Sequence, residues 1–172
     1  NRLEKKRINS LYAFGELGYK NAIFLEYSLR NDWSSTLPVK NCSYLYPGIS
    51  ASAVLTDLLG LDSEVLSFAK VRASWAQVGG DTDPYQLEPT VAFGDGWNAS
   101  TKLLNLYVPN ELPDAELKPQ MNKSLEFGAD MRFFLDRIRL DVTYYQQNSI
   151  NQIVSVPVSG ASGYTSKIIN AG

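Results

Sequence analysis

The side chains with the most chemistry to offer lie on two neighbouring stretches: Glu126, Asp130 and Arg132 on the first, Arg139 and Asp141 on the second. Two carboxyl groups can share glycoside hydrolysis when they stand about 5–9.5 Å apart. Glu126 and Asp130 are four residues apart, roughly 13 Å in extended chain, which is too far. Asp130 and Asp141 can come together, but Arg132 and Arg139 beside them keep both ionised, which suits ion pairing better than proton donation. The chain has no His, so the commonest general base and metal ligand is missing. A single cysteine, Cys42, removes a disulfide framework and a Cys-based zinc site. No serine nucleophile elbow or glycine-rich phosphate loop occurs. Asp81-Thr82-Asp83 offers two carboxylates in a loop, the minimal start of a hard-cation site. No further ligands follow in a recognisable pattern, and turn chemistry accounts for the triplet. The expectation is no enzyme, no catalytic residue, no metal and no cofactor.

Aromatic residues are the other candidates. Tyr85, Phe93, Trp97 and Tyr107 fall within residues 79–120, together with Pro84, Pro89, Pro109, Pro113 and Pro119. They are candidate substrate-binding residues that could stack on a sugar or anchor a partner protein. Against that stands the need of so long a link for a small core of its own. Lys+Arg 16 against Asp+Glu 18 leaves a charge of −2, without the basic excess of a nucleic-acid binder. A hydrophobic content of 44% excludes a disordered, highly charged segment. No apolar run reaches the roughly 18 residues that a transmembrane helix needs.

The elements that position these residues alternate with period two. In residues 137–144, Ile138, Leu140, Val142 and Tyr144 share one face and Arg137, Arg139, Asp141 and Thr143 the other. Residues 124–133 behave alike, with Leu125, Phe127, Ala129, Met131 and Phe133 opposing Ser124, Glu126, Gly128, Asp130 and Arg132. A tight turn at Leu135-Asp136 joins the two as a hairpin and sets Asp130 opposite Asp141 and Arg132 opposite Arg139. Like charges so placed call for diagonal Asp130–Arg139 and Arg132–Asp141 pairs, or for partners elsewhere. A second hairpin turns at Lys20-Asn21, with Leu11, Ala13, Leu17 and Tyr19, then Ile23, Leu25, Tyr27 and Leu29, on its apolar face. Two further strands fit residues 46–55 and 68–78, giving about six in all.

Short turns alternate with long links at residues 33–43, 79–120 and beyond 148. Up-and-down strands put all short turns at one rim and all long loops at the other, the plan of an outer-membrane barrel. The polar face carries Glu26, Arg30, Arg72, Glu126, Asp130, Arg132, Arg139 and Asp141, which would line its lumen. A soluble, glycan-binding β-sandwich alternates too, because each sheet packs one face on the other. Strand length favours the membrane: about ten residues, tilted near 45°, cross a bilayer core, whereas globular strands average five or six.

Specific strings sharpen this reading. Ser28-Leu29-Arg30-Asn31-Asp32-Trp33-Ser34-Ser35 resembles the "S-x-R-x-D-x-S-S" strand end of SusC/RagA-type TonB-dependent transporters. Tyr46-Pro47-Gly48-Ile49-Ser50-Ala51 is similar to that family's "F-P-S-x-S-A". Residues 70–79, KVRASWAQVG, are close to "K-x-R-A-S-Y-G-Q-T-G" and are followed by Pro84-Tyr85-Gln86. Leu117-Lys118-Pro119, Gly128-Ala129-Asp130 and Gly163-Tyr164 with Asn170-Ala171-Gly172 continue the set in family order. Ala76 stands where the family has Gly, Gly80 replaces an Asn, and Pro119-Gln120 replaces a Trp-Glu-like pair.

The resemblance implies an all-β fold: antiparallel up-and-down strands forming part of a large, 22-stranded transmembrane β-barrel. Both ends read as cuts, so residues 1–172 would be an internal barrel segment with a long extracellular loop at 79–120 and with the plug domain outside it. It further implies outer-membrane location, contact with lipid, import of an oligosaccharide or peptide, a SusD-like lid lipoprotein, and energy from the TonB complex through the plug.

Overall fold

The computed structural model describes residues 4–61, 63–98 and 103–172, with the side chains of residues 93–105 outside the description. Along the chain run β1 (Ile8–Tyr19), β2 (Ile23–Ser34), β3 (Ser43–Val54), the one-turn helix α1 (Leu55–Leu59), β4 (Leu66–Gly80), β5 (Ala92–Asn98) and β6 (Leu103–Tyr107). Then follow β7 (Glu111–Leu112), β8 (Gln120–Phe133), β9 (Ile138–Ile150), β10 (Gln152–Pro157) and β11 (Ser166–Ala171). Six of these form one antiparallel sheet in the order β1-β2-β3-β4-β8-β9. Strands of 12–15 residues are at least twice the usual globular length.

Local chemistry sets the short turns. Lys20 and Asn21 both take positive φ, 51° and 53°, and Ala22 N–H closes the turn on Tyr19 C=O at 3.0 Å. Two positive-φ central residues match the right-handed twist of a hairpin, as in type I′ turns. Residues 134–137 reverse the β8–β9 hairpin, with positive φ at Phe134, Leu135 and Asp136. That turn is tied to β4 by Leu135 N–H donating to Ser67 Oγ at 2.9 Å. Between β3 and β4, α1 ends at Gly60, whose φ of 60° is a left-handed cap.

The six-stranded sheet has two unlike faces, because residues directly opposite in an antiparallel pair share a side. One row reads Leu17, Leu25, Ala51, Ala73, Phe127, Tyr144 from β1 to β9. On this apolar face Leu11, Leu17, Phe127, Ile138, Leu140 and Val142 are 45–69% exposed, so no second layer of the described residues seals them. A sandwich would bury these side chains. Toward the long-link rim the same face turns polar: Asn9 on β1, Asn31 on β2, Gln77 on β4, Lys123 on β8 and Gln146 on β9.

The buried core lies at that rim, not between sheets. Leu37, Tyr44, Leu117 and Ile168 are buried together, with Cys42, Tyr46, Leu87 and Ile153 packed against them. Cys42 is thus a small packing residue. The long link supplies Leu87 and Leu117 to this core and also folds into structure that period-two reading missed. It holds the β5–β6 hairpin, while β7 joins β10 and β11 in a small mixed sheet. Asn170 clasps that sheet to the link. Its Nδ2 donates to Lys118 O at 2.9 Å and Asn151 O at 2.8 Å, and its Oδ1 accepts from Lys118 N at 2.8 Å.

Candidate functional site

The sheet's register gathers the charged residues on the face opposite the apolar one. Glu16, Glu26, Ser50, Ser74, Glu126 and Tyr145 form one row; Lys70, Asp130 and Asp141 form another. Arg30, Arg72, Arg132 and Arg139 point to the same side. Asp130 faces Asp141 and Arg132 faces Arg139, as the short turn requires.

The ion pairs are not the diagonal ones expected from that arrangement. Arg72, on β4, reaches past β8 to Asp141 on β9, with Nη2 at 3.0 Å from Oδ1, and also donates to Thr143 Oγ1 at 2.6 Å. Gly128 is the β8 residue under this crossing. A Cβ there would lie 2.8 Å from Arg72 Cγ and Cζ, so only glycine leaves the path open. Arg132 instead lies over the Phe68 ring at 4.6 Å and reaches Asp136 at 3.9 Å. Asp130 Oδ1 and Arg132 Nε are buried and have no hydrogen-bond partner among the described residues. Sequence spacing weighed only adjacent strands, and a guanidinium reaching over a glycine needs three strands in register.

At the long-link rim the string Ser28 to Ser35 shows what its residues do. Arg30 grips Asp32 with two bonds of 2.8 and 3.0 Å and touches Ser10 Oγ at 3.3 Å. Its guanidinium lies 5.6 Å over the Tyr46 ring, which meets Tyr44 edge-on at 5.3 Å. Asp32 is 3% exposed, whereas the Arg30 side chain is 54% exposed. Asp81 lies just past the end of β4. It pairs with Lys6 at 2.7 Å and accepts from the hydroxyls of Thr36, at 3.2 Å, and Ser34. Burial pushes its carboxyl up, but Lys6 and the two hydroxyls outweigh that and hold it below the ordinary value of 3.8. Asp81 therefore latches the link to Lys6, ahead of β1, and to Ser34 and Thr36 at the end of β2.

Of the four link aromatics, Tyr85 and Tyr107 are about half exposed. Tyr85, at a φ of 66°, lines a cavity of about 360 Å³ with Asp83, Glu88, Glu111 and Tyr164; Tyr107 does not reach it. Phe93 and Trp97 sit on β5, their side chains outside the described residues. A second concavity, of about 600 Å³, lies on the polar face among Tyr12, Phe14, Ser28, Arg30, Tyr46, Gly48, Ala76 and Val78. Sequence reading passed over Tyr12 and Phe14. Their signal is two aromatics at i and i+2 on the strand face that also carries Ser10 and Glu16.

A family model described as "TonB dependent receptor-like, beta-barrel" matches residues 1–172. The chain belongs to that family. Its barrel is an outer-membrane structure, and the uncovered apolar face is the side such a barrel turns to lipid. Among curated relatives, TonB-dependent receptor P3 of Formosa agariphila is 26% identical over 165 residues, covering 93% of this chain and 16% of that protein. TonB-dependent receptor P39 of the same organism is 22% identical, covering 96% and 16%. The chain therefore spans about a sixth of their length. In fold, it overlays the RagAB peptide transporter with a TM-score of 0.83 at 19% identity, covering 97% of this chain and 18% of that one. The siderophore receptor PirA from Pseudomonas aeruginosa gives a TM-score of 0.62 at 17% identity, covering 96% and 29%. This TonB-dependent receptor barrel segment is mostly antiparallel strand, and its sheet is open at β1 and β9 within these residues.

Proposed function

We propose that the chain forms part of the wall and outer loops of an outer-membrane importer for bulky nutrients, oligosaccharide or peptide, energised through TonB. One observation carries this reading: a single long-stranded sheet with one uncovered apolar face and one face set with charges, hydroxyls and aromatics. The first suits hydrocarbon and the second a hydrated lumen, where Glu26, Arg30, Arg72, Glu126, Asp130, Arg132, Arg139 and Asp141 line the path or meet a plug. The long-link rim, with Tyr85, Phe93, Trp97 and Tyr107, faces outward, where cargo and a SusD-like lid lipoprotein would dock. The plug and its contact with TonB belong to the parts of the receptor beyond residues 1–172. In keeping with a family of receptors, the reading is passage rather than catalysis.

Uptake by cells carrying the full-length receptor tests this reading. Labelled oligosaccharides and peptides are offered separately, with and without TonB. Accumulation of one class, lost on TonB depletion, is the expected result. Uptake of neither class, or uptake indifferent to TonB, would end the proposal.

A further inference from the structure

Near the long-link rim the two faces of the sheet differ sharply in burial. Asp32 and Ser34 on β2 and Tyr44 on β3 belong to the charged face, and they are 3%, 3% and 5% exposed. Trp33 and Leu45, beside them on the apolar face, are 40% and 42% exposed. Successive side chains of a strand point to opposite sides of the sheet, so the cover over the first three stands on the polar side. Distant segments supply it. Leu117 and Leu87 from the long link, with Ile168 from β11 and Ile153 from β10, share one core with Tyr44. Ser34 donates to Asp81, which also takes the Thr36 hydroxyl at 3.2 Å and pairs with Lys6 at 2.7 Å. Segments that open and close readily have few buried apolar contacts. Here Leu117 is fully buried, and Asn170 ties its neighbour Lys118 to β11 by two bonds.

We infer that the stretches around Leu87 and Leu117, together with β7, β10 and β11, form a shelf over the polar face that narrows the barrel's outer mouth and limits the size of solute passing inward. A layer packed on a sheet takes up about 10 Å of the space in front of it. On the lumen side of a wall, that thickness comes out of the opening. The shelf stands on the wall by its own buried core, so the limit is built into the barrel and needs no partner to impose it. It rests on the import reading above, which turns this rim outward, and adds a size limit to that reading.

Thiol labelling of the purified full-length receptor tests the shelf. In a Cys42→Ser background, Ser28→Cys puts a thiol on the polar face, deeper in the sheet than Asp32. Val39→Cys, at a position 92% exposed between β2 and β3, serves as the reference. Each is treated with a small sulfonated maleimide and with a maleimide on a long polyethylene glycol chain. Relative to the reference, the long reagent should label Ser28→Cys about tenfold more slowly than the small one, since it enters only when the shelf lifts. Two variants remove the barrier. In one, a short Gly-Ser turn replaces residues 81–119; Gly80 and Gln120 are already paired, so the strands keep their register. In the other, Leu117→Asp with Ile168→Asp unseats the shelf and leaves the β5–β6 hairpin in the chain. Both should abolish the difference between the reagents, and heat-modifiable gel migration checks that each variant keeps its barrel. Equal labelling of Ser28→Cys by the two reagents in the parent receptor, or a difference that persists in either variant, overturns the shelf. A thiol that neither reagent reaches would place the barrier elsewhere and overturns it too. The import reading stands or falls separately, on TonB-dependent uptake.

Discussion

Arg72 reaches Asp141 across a strand that belongs to neither, passing over the bare backbone of Gly128. The three residues act as a unit. Gly128→Ala should destabilise the receptor by about 1–2 kcal/mol, because a methyl group there displaces the near end of the Arg72 side chain along with its guanidinium. In an Arg72→Ala background the same change should be almost neutral. Denaturant unfolding of the four members of this cycle in detergent measures the coupling, and equal losses in both backgrounds would refute it.

Arg30 and Asp32 should respond unequally. Removing Arg30 as Arg30→Met takes the charged partner from a carboxylate that is 3% exposed and should give the larger loss of stability. Asp32→Asn leaves a guanidinium largely in water beside a polar amide and should give the smaller loss. Thermal melts of the two variants decide the order; a larger loss from Asp32→Asn would show the burial to be misread.

The latch at Asp81 has a defined response to acid. A carboxyl held below its ordinary value in the folded state contributes stability that is fully present above 3.8 and is lost as pH falls through the depressed value. Residues 81–86 should keep their hydrogen-exchange protection, corrected for intrinsic rate, from pH 7 down to pH 5 and lose it only in stronger acid. Asp81→Asn should loosen the same residues at neutral pH. Unchanged protection in that variant would rule the latch out.

The two faces should differ in what they tolerate. Phe127→Arg puts a charge on the lipid side in mid-strand and should cost about 2–4 kcal/mol in a bilayer. Glu126→Arg, one residue away on the polar face, should cost far less. A hydrophilic maleimide on intact cells gives a second readout: Thr143→Cys should be labelled and Val142→Cys protected. Labelling of both would mean that the apolar face meets water.

Much of this architecture was legible without coordinates, and the reason is physical. A strand between two solvents must alternate, so residues such as Phe127, Ile138 and Val142 declare their side in the sequence itself. The tight turn at Leu135-Asp136 fixed the pairing of Asp130 with Asp141, since a short loop leaves little choice of register. Contacts that join distant segments left no such trace. The parallel pairing of β7 with β11 links Glu111 to Ser166 with no local period to betray it. The reach of Arg72 depends on a gap at Gly128 that matters only once three strands are aligned. Asp32 and Asp81 read as ordinary surface carboxylates until Tyr44, Ser34 and Thr36 close around them.

The order of residues on the apolar face carries one more piece of geometry. Its last greasy side chain before the polar border is Leu11 on β1 and Tyr144 on β9, yet the row through Tyr144 meets β1 at Leu17. The waterline thus slips six positions, roughly 20 Å, while crossing five strand spacings of about 4.8 Å. A flat membrane surface can follow that slope only if the strands lean about 40° from its normal, within the range of outer-membrane barrels. The pitch of the whole wall is therefore written in where asparagine, glutamine and lysine first replace leucine and the aromatics.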